Sequence, residues 1–147
     1  MTIEKPIGTA EENDATIEIL RDGEVRVVKP SEVRASWSYF SVTIDGAGSL
    51  MAEYGKTLSP GNSHYEFSFP RDPEAPEGPI HRGNIDYRDE EGLYFLTPIS
   101  GKFVVTFENT GAPKTYKNTI TYTNLQFEVD GEEVTINGTC EATLISD

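Results

Sequence analysis

The sequence predicts an all-β protein: an antiparallel meander that closes into a small up-and-down barrel of lipocalin-like shape, with a two-sheet β-sandwich as the alternative. Apolar and polar residues alternate along most of the chain, and many of the apolar ones are β-branched or aromatic. Clusters of Gly, Asp, Asn and Pro separate these stretches, and the spacing typical of helices is missing. Alternation of this kind between turn-forming residues is the pattern of strands and hairpins.

Charge and size limit the partners that the protein can have. The chain has 147 residues and a formal net charge of −13, from 12 Lys and Arg against 25 Asp and Glu. Such a charge opposes binding to nucleic acid and to anionic membranes, both of which require clustered cations. We therefore expect either a small apolar ligand or a basic protein as the partner. The length is typical of one domain.

Residues 1–15 are polar and acidic, and we expect them to form a flexible tail ahead of a single domain at 16–147. No stretch of the chain is apolar and long enough for a signal peptide or a membrane span. We therefore expect a soluble, cytoplasmic protein. The single cysteine, Cys140, excludes a disulfide within the chain.

The first hairpin is predicted in "ATIEILRDGEVRVVKP". A three-residue loop at 21–23, with its Gly in the left-handed conformation, sets Ile19 opposite Val25 and Ile17 opposite Val27. All four apolar side chains then share one face.

The last hairpin is predicted in "NLQFEVDGEEVTING", with a two-residue turn at Asp130-Gly131. This turn sets Phe127 opposite Val134 and Leu125 opposite Ile136, so both strands bury the same face. The hydrophobic pattern and the turn residues thus agree.

The alternation changes parity at two places, which indicates β-bulges. One lies near Thr123 and Asn124, and the other separates Trp37 and Tyr39 from Phe40 and the residues after it. Two bulges in long strands favour a sheet that bends strongly. Between the two hairpins, further strands are predicted in "SLMAEYG", "SHYEFSF", "NIDYRD", "LYFLT" and "KFVVTFE".

Prolines occur at every third position from residue 70 to residue 79. This period matches the three-residue turn of polyproline II, so we expect residues 70–80 to form a stiff, extended strap outside the sheet. The strap is a rigid connection, a lid over one end of a barrel, or a docking segment.

The last strand predicts where a ligand would bind. Its inward positions are small in the middle of the strand, at Gly138, Cys140 and Ala142, while the facing strands supply aromatic residues. Large side chains packed against small ones fill a barrel core, or else they line an aromatic pocket. The predicted ligand-binding residues are Trp37, Tyr39, Tyr116, Asn118 and Tyr122. Asn118 is an amide among inward residues and needs hydrogen-bond partners there.

No residue pattern identifies a catalytic or metal site. His81 with Asp86 is the nearest to an acid–base pair, and His64, Glu66 and Ser68 share one face of a strand, but both sets fit a solvated surface. Two His and one Cys without metal-ligand spacing predict no metal, and no cofactor is predicted.

Two functions follow as hypotheses. The first is a barrel that holds a small apolar ligand and acts, if it is an enzyme, as a cofactor-free cyclase or isomerase by positioning that ligand. The alternative is a non-catalytic acidic interaction or inhibitor module that engages a basic partner protein. A carbohydrate-binding sandwich is a weaker third hypothesis.

Overall fold

The computed structural model describes residues 14–35, 39–45, 48–53, 63–70 and 84–145. The strands in these ranges are β1 (Asp14–Arg21), β2 (Glu24–Val28), β3 (Glu32–Ala35), β4 (Tyr39–Ile44), β5 (Gly48–Glu53), β6 (Ser63–Phe69), β7 (Asn84–Arg88), β8 (Tyr94–Leu96), β9 (Ser100–Asn109), β10 (Thr115–Val129) and β11 (Glu132–Ile145). The described ranges contain no helix. The all-β prediction is confirmed.

The strands form two antiparallel sheets. One has six strands in the order β2-β1-β11-β10-β9-β6, and the other has five in the order β3-β4-β5-β7-β8. β1 pairs with β11, so the first and last strands lie side by side. No closed barrel is found in the part of the chain that the structure describes. What is established is therefore the coarser architecture, an all-β fold of two antiparallel sheets.

The last hairpin has the predicted register. Phe127 pairs with Val134 and Leu125 with Ile136, and all four side chains are fully buried. The turn at Asp130-Gly131 has φ values of 48° and 82°, which are those of a two-residue type I′ turn.

The predicted bulge in β10 is confirmed. The pairing of β10 with β11 shifts between Tyr122 and Leu125, and Asn124 has a φ of 47°. In β4, by contrast, pairing with β5 is continuous from Tyr39 to Ile44, so the described part of that strand has no register shift.

The prediction for the first hairpin is wrong by one residue. Its turn is the two-residue pair Asp22-Gly23, with φ values of 53° and 77°, so Arg21 pairs with Glu24 and Leu20 with Val25. Because a one-residue change in register exchanges the two faces of a strand, Val25 lies outside the core with 59% of its surface exposed. The buried valine of β2 is the last one in the strand.

The core lies between the two sheets. The six-stranded sheet contributes Phe103, Phe107 and Phe127, and the five-stranded sheet contributes Leu50 and Phe95. These side chains are at most 1% exposed, as expected for a close-packed interior.

Several predictions fall partly outside the described residues. β1 begins at Asp14, so the last two residues of the predicted tail belong to a strand, while residues 1–13 lie outside. Pro70 follows β6, and the remainder of the proline strap at 70–80 lies outside the described residues, as do Trp37 and His81.

Candidate functional site

Three strand connections meet at one end of the molecule, which we call the acidic end. They are the β1–β2 turn, the β7–β8 loop and the β10–β11 turn, and their residues and flanks carry the carboxylates Asp22, Glu24, Asp89, Glu90, Glu91, Asp130, Glu132 and Glu133. Arg21 joins the three connections: its Nη1 lies 3.0 Å from Asp89 Oδ2 and its Nη2 lies 3.4 Å from Glu132 Oε2. This one side chain therefore links both sheets.

Asp89 organises the β7–β8 loop. Its carboxylate is buried, and Oδ1 accepts hydrogen bonds from the backbone amides of Glu91 at 3.0 Å and Leu93 at 2.8 Å. Its own amide donates to the carbonyl oxygen of Leu93 at 3.0 Å. The Arg21 guanidinium also lies over the ring of Phe95, 5.5 Å from the centroid, where a cation is attracted to the aromatic face. The β7–β8 loop is thus fixed by its own hydrogen bonds to Asp89 and by the contacts of Arg21 with Asp89 and Phe95.

The pKa values of three groups beside this cluster, Asp89, Arg21 and Tyr87, are shifted by their surroundings. Burial raises the pKa of the Asp89 carboxyl, but hydrogen bonds from the Leu93 amide, Arg21 and the Glu91 amide outweigh it and hold that pKa below its usual value. The hydrogen bond to Asp89 raises the pKa of Arg21, and burial raises the pKa of Tyr87. None of these shifts brings a group towards pH 7, where an acid–base catalyst would have to titrate.

A cleft of about 330 Å³ opens beside this network. It is lined by Ile19, Arg21, Asp22, Glu24, Arg26, Tyr87, Asp89, Glu90 and Glu91. Five carboxylates thus face two guanidinium groups, and one of these, that of Arg21, already pairs with Asp89 and Glu132. The cleft therefore favours a cationic group over an anionic one.

A wider groove of about 930 Å³ runs over the outer face of the five-stranded sheet. It shares residues 89–91 with the cleft, so the β7–β8 loop lies between the two hollows. Arg34 and Arg88 line it together with Ser41 and Tyr94, and its charges are mixed. The groove therefore shows less preference for one charge than the cleft does.

The structure gathers only part of the predicted ligand site. Asn118 and Tyr122 are buried on the inner face of β10, and Tyr116 on the same strand is half-buried. The Tyr122 hydroxyl lies 3.1 Å from Cys140 Sγ on the last strand. Tyr39 begins β4, at the point where that strand pairs with Glu53.

Tyr116, Asn118 and Tyr122 do not line the cleft or the groove. Whether they hold a ligand together with Trp37 stays a prediction, because Trp37 lies outside the described residues.

The other polar constellations have structural roles or face solvent. His64, Glu66 and Ser68 are exposed, which confirms the prediction of a solvent face. Asp86 accepts hydrogen bonds from Asn84 Nδ2 at 3.1 Å and from the Thr97 amide at 3.0 Å, and so connects β7 to the residue after β8.

The reasoning from sequence missed the Arg21 network. Its partners lie 68 and 111 residues along the chain from Arg21, and no local pattern links them. The only signal was the turn-forming composition of residues 89–92, "DEEG", where an Asp at the start of a tight turn often bonds to amides that follow it.

No protein-family model matches the chain, and comparisons with curated proteins and with solved structures find no match. Within the described ranges, no group of three or more His, Cys, Asp or Glu residues is arranged to hold a metal ion. The same ranges contain no helix that is long and apolar enough to cross a membrane.

Proposed function

We propose that the protein is a non-catalytic interaction module whose acidic end binds a basic segment of a partner protein. The observation that carries this proposal is the charge of the cleft. Arg21 is paired with Asp89 and Glu132, so among the described residues that line the cleft four carboxylates, those of Asp22, Glu24, Glu90 and Glu91, outnumber the one remaining arginine, Arg26. These carboxylates lie on two converging connections, the β1–β2 turn and the β7–β8 loop, and their combined potential in such a hollow favours the approach of a cation.

The shape of the cleft suits a side chain better than a whole small molecule. Its volume is at the lower end of the range for ligand pockets, about 300–1,000 Å³. Ile19 and Tyr87 line it beside the carboxylates, so an alkyl stem and a charged head would both find a matching surface. A lysine or arginine of the partner fits this description.

The rigidity of the site supports binding over catalysis. The Asp89 carboxylate already has three hydrogen-bond donors, so it is not a free base. Glu90 and Glu91 are exposed on the rim and are available to a partner. Charge complementarity between such a rim and a basic segment mainly accelerates association and selects the partner.

Titration of isotopically labelled protein with a short oligo-arginine peptide tests this proposal by NMR. We expect the largest shift changes at residues 21–26 and 89–91, and no response to an oligo-glutamate peptide. The double substitution Glu90→Gln with Glu91→Gln should weaken binding by about tenfold, the size of a 1.4 kcal/mol loss, at physiological salt.

The control variant carries Glu66→Gln with Glu108→Gln. It has the same net charge, but both positions are exposed on β6 and β9, at the opposite edge of the six-stranded sheet from β2. Equal weakening in the two double variants would show that only net charge matters, and would refute the cleft as the site.

The apolar ligand inside a closed barrel, with its cyclase or isomerase activity, stays a prediction alongside this proposal. Ala142 is 2% exposed and pairs with Asn118, so Ala142→Phe would fill the predicted ligand site. Uptake of an apolar dye by the wild type and its loss in this variant would favour the ligand hypothesis. Overpacking itself costs about 1–3 kcal/mol, so the stability of the variant must be measured too.

A further inference from the structure

Strand β2 is an edge strand with an apolar outer face. It lies at the end of the six-stranded sheet and pairs only with β1 within the described residues. Val25 and Val27 are 59% and 64% exposed, and Leu20, which pairs with Val25, is 40% exposed. Exposed edge strands with apolar side chains are templates for pairing with another strand.

The opposite face of β2 is uncovered as well. Glu24 and Arg26 point towards the cleft side of the sheet and are exposed, and only Val28 at the end of the strand is buried. Four consecutive residues are therefore open on both faces.

The backbone of β2 also offers free groups to the open edge. Hydrogen-bonded and non-hydrogen-bonded pairs alternate along an antiparallel ladder, and Arg21 and Glu24, which flank the two-residue turn, close it as a hydrogen-bonded pair. It follows that Glu24, Arg26 and Val28 bond towards β1. Val25 and Val27 then direct their N–H and C=O groups outwards.

We propose that a second copy of this chain occupies the edge, with the two β2 strands antiparallel about a two-fold axis at Val25. In such an isologous pair the same surface of both copies is used, and residues opposite one another share a face. Val25 then lies opposite Val25 of the second copy on the outer face. On the cleft face, Glu24 lies opposite Arg26 of the second copy, and Arg26 opposite its Glu24.

Charge selects this register over its neighbours. An axis at Arg26 would bring two arginines directly opposite one another, and like charges at that position are destabilising. An axis at Val27 would place Arg26 opposite Val28, where it has no anion. The sequence Glu24-Val25-Arg26 is thus complementary to itself when its direction is reversed.

The association should be weak. With the axis at Val25, only Glu24, Val25 and Arg26 of each β2 face β2 residues of the second copy. This segment is short for a stable interface, and the net charge of −13 on each copy opposes contact. At physiological ionic strength the Debye length is about 8 Å, so repulsion from distant carboxylates is largely screened while the opposed Glu24 and Arg26 still interact. We expect a dissociation constant between about 1 μM and 1 mM.

Analytical ultracentrifugation of the full chain over a range of concentrations tests the proposal. The wild type should change from monomer to dimer as concentration rises. The single substitution Glu24→Arg places arginine opposite arginine across the dimer, and Arg26→Glu places glutamate opposite glutamate. Each single variant should therefore associate about tenfold or more weakly than the wild type. The double variant Glu24→Arg with Arg26→Glu restores both pairs and should dimerise as the wild type does.

Mixing the two single variants gives the sharpest result. A chain with arginine at both positions is complementary to a chain with glutamate at both, so the mixture should form a heterodimer more tightly than either variant associates alone. Both substituted positions are exposed, and far-UV circular dichroism checks that each variant is folded.

A wild type that stays monomeric at millimolar concentration would overturn the proposal. Single variants that associate as strongly as the wild type would also overturn it, since the dimer would then use another surface. This dimer does not depend on the proposed function. Sedimentation measures the pairing of β2 strands, whereas the oligo-arginine titration measures peptide binding and its loss on substitution of Glu90 and Glu91.

Discussion

Removing the Asp89 carboxylate should destabilise the protein more than any other single loss of an acidic group at the acidic end. Asp89 is 4% exposed and accepts three hydrogen bonds, two from loop amides and one from Arg21. Hydrogen bonds to a charged group each contribute about 1.5–3 kcal/mol. The loop amides can return to water in the variant, and the Arg21 side chain, 28% exposed, keeps its contact with Glu132. We therefore expect Asp89→Ala to cost about 2–4 kcal/mol.

The pH dependence of this effect has a definite sign. The pKa of Asp89 is lower in the folded protein than in the unfolded chain, where it is about 3.9. As pH falls, the unfolded chain is protonated first, so the stabilisation is fully present above about pH 4 and is lost as pH falls through the folded pKa. The stability difference between wild type and Asp89→Asn should be constant from about pH 5 to 8 and should shrink below about pH 4.

Urea unfolding followed by far-UV circular dichroism measures both effects. Glu141→Gln is the matched control, because Glu141 pairs with Lys117 at 3.4 Å but both side chains are about half exposed. Such a surface pair contributes about 0–1 kcal/mol. If Asp89→Ala cost no more than Glu141→Gln, or if the difference at Asp89 persisted unchanged at low pH, the role assigned to this carboxylate would be refuted.

Two further predictions concern the interior of the six-stranded sheet. Gly101 and Gly111 have φ values of 98° and 92°, but a Cβ at Gly101 would clash with the backbone of Asn124, whereas at Gly111 nothing lies within 4 Å. Both Gly→Ala changes strain the backbone by about 1–2 kcal/mol. In urea unfolding, Gly101→Ala should lower the free energy of unfolding clearly more than Gly111→Ala does. Equal losses in the two variants would contradict this prediction. Burial raises the pKa of the Cys140 thiol to about 12, so a thiol-disulfide reagent at about pH 8 should label the folded protein far more slowly than the chain unfolded in guanidinium. Rapid labelling of the folded protein would show that Cys140 is accessible.

Some features of this protein can be predicted from the local sequence, and others depend on the complete fold. The register of the last hairpin followed from the sequence, because Asp130-Gly131 admits a tight turn and Leu125 and Phe127 show which face is apolar. The bulge beside Asn124 followed from a change of parity in the same strand. Both features are local, and a period of two residues is visible wherever one face of a strand is buried.

The first hairpin shows where this reasoning fails. β2 contains valines at 25, 27 and 28, which occupy both parities, so the hydrophobic pattern is compatible with either face. The turn decides the register, and the structure has a two-residue turn where three residues were predicted. The error concealed that Val25 and Val27 are exposed at an edge, and therefore concealed the surface on which dimerisation is proposed.

By itself, the sequence determined that the chain is all-β, that it is strongly acidic, and how its last two long strands pair, since composition and period-two alternation express these properties locally. Only the tertiary structure decided which strands lie at the edges and that Arg21 meets Asp89 and Glu132. The order of strands in a sheet depends on pairing between distant segments, and Arg21 reaches partners 68 and 111 residues away. Nothing in the local pattern specifies those separations along the chain. The entropic cost of closing a loop rises only slowly with its length, so many strand pairings have similar closure costs. Packing of the core then selects among them.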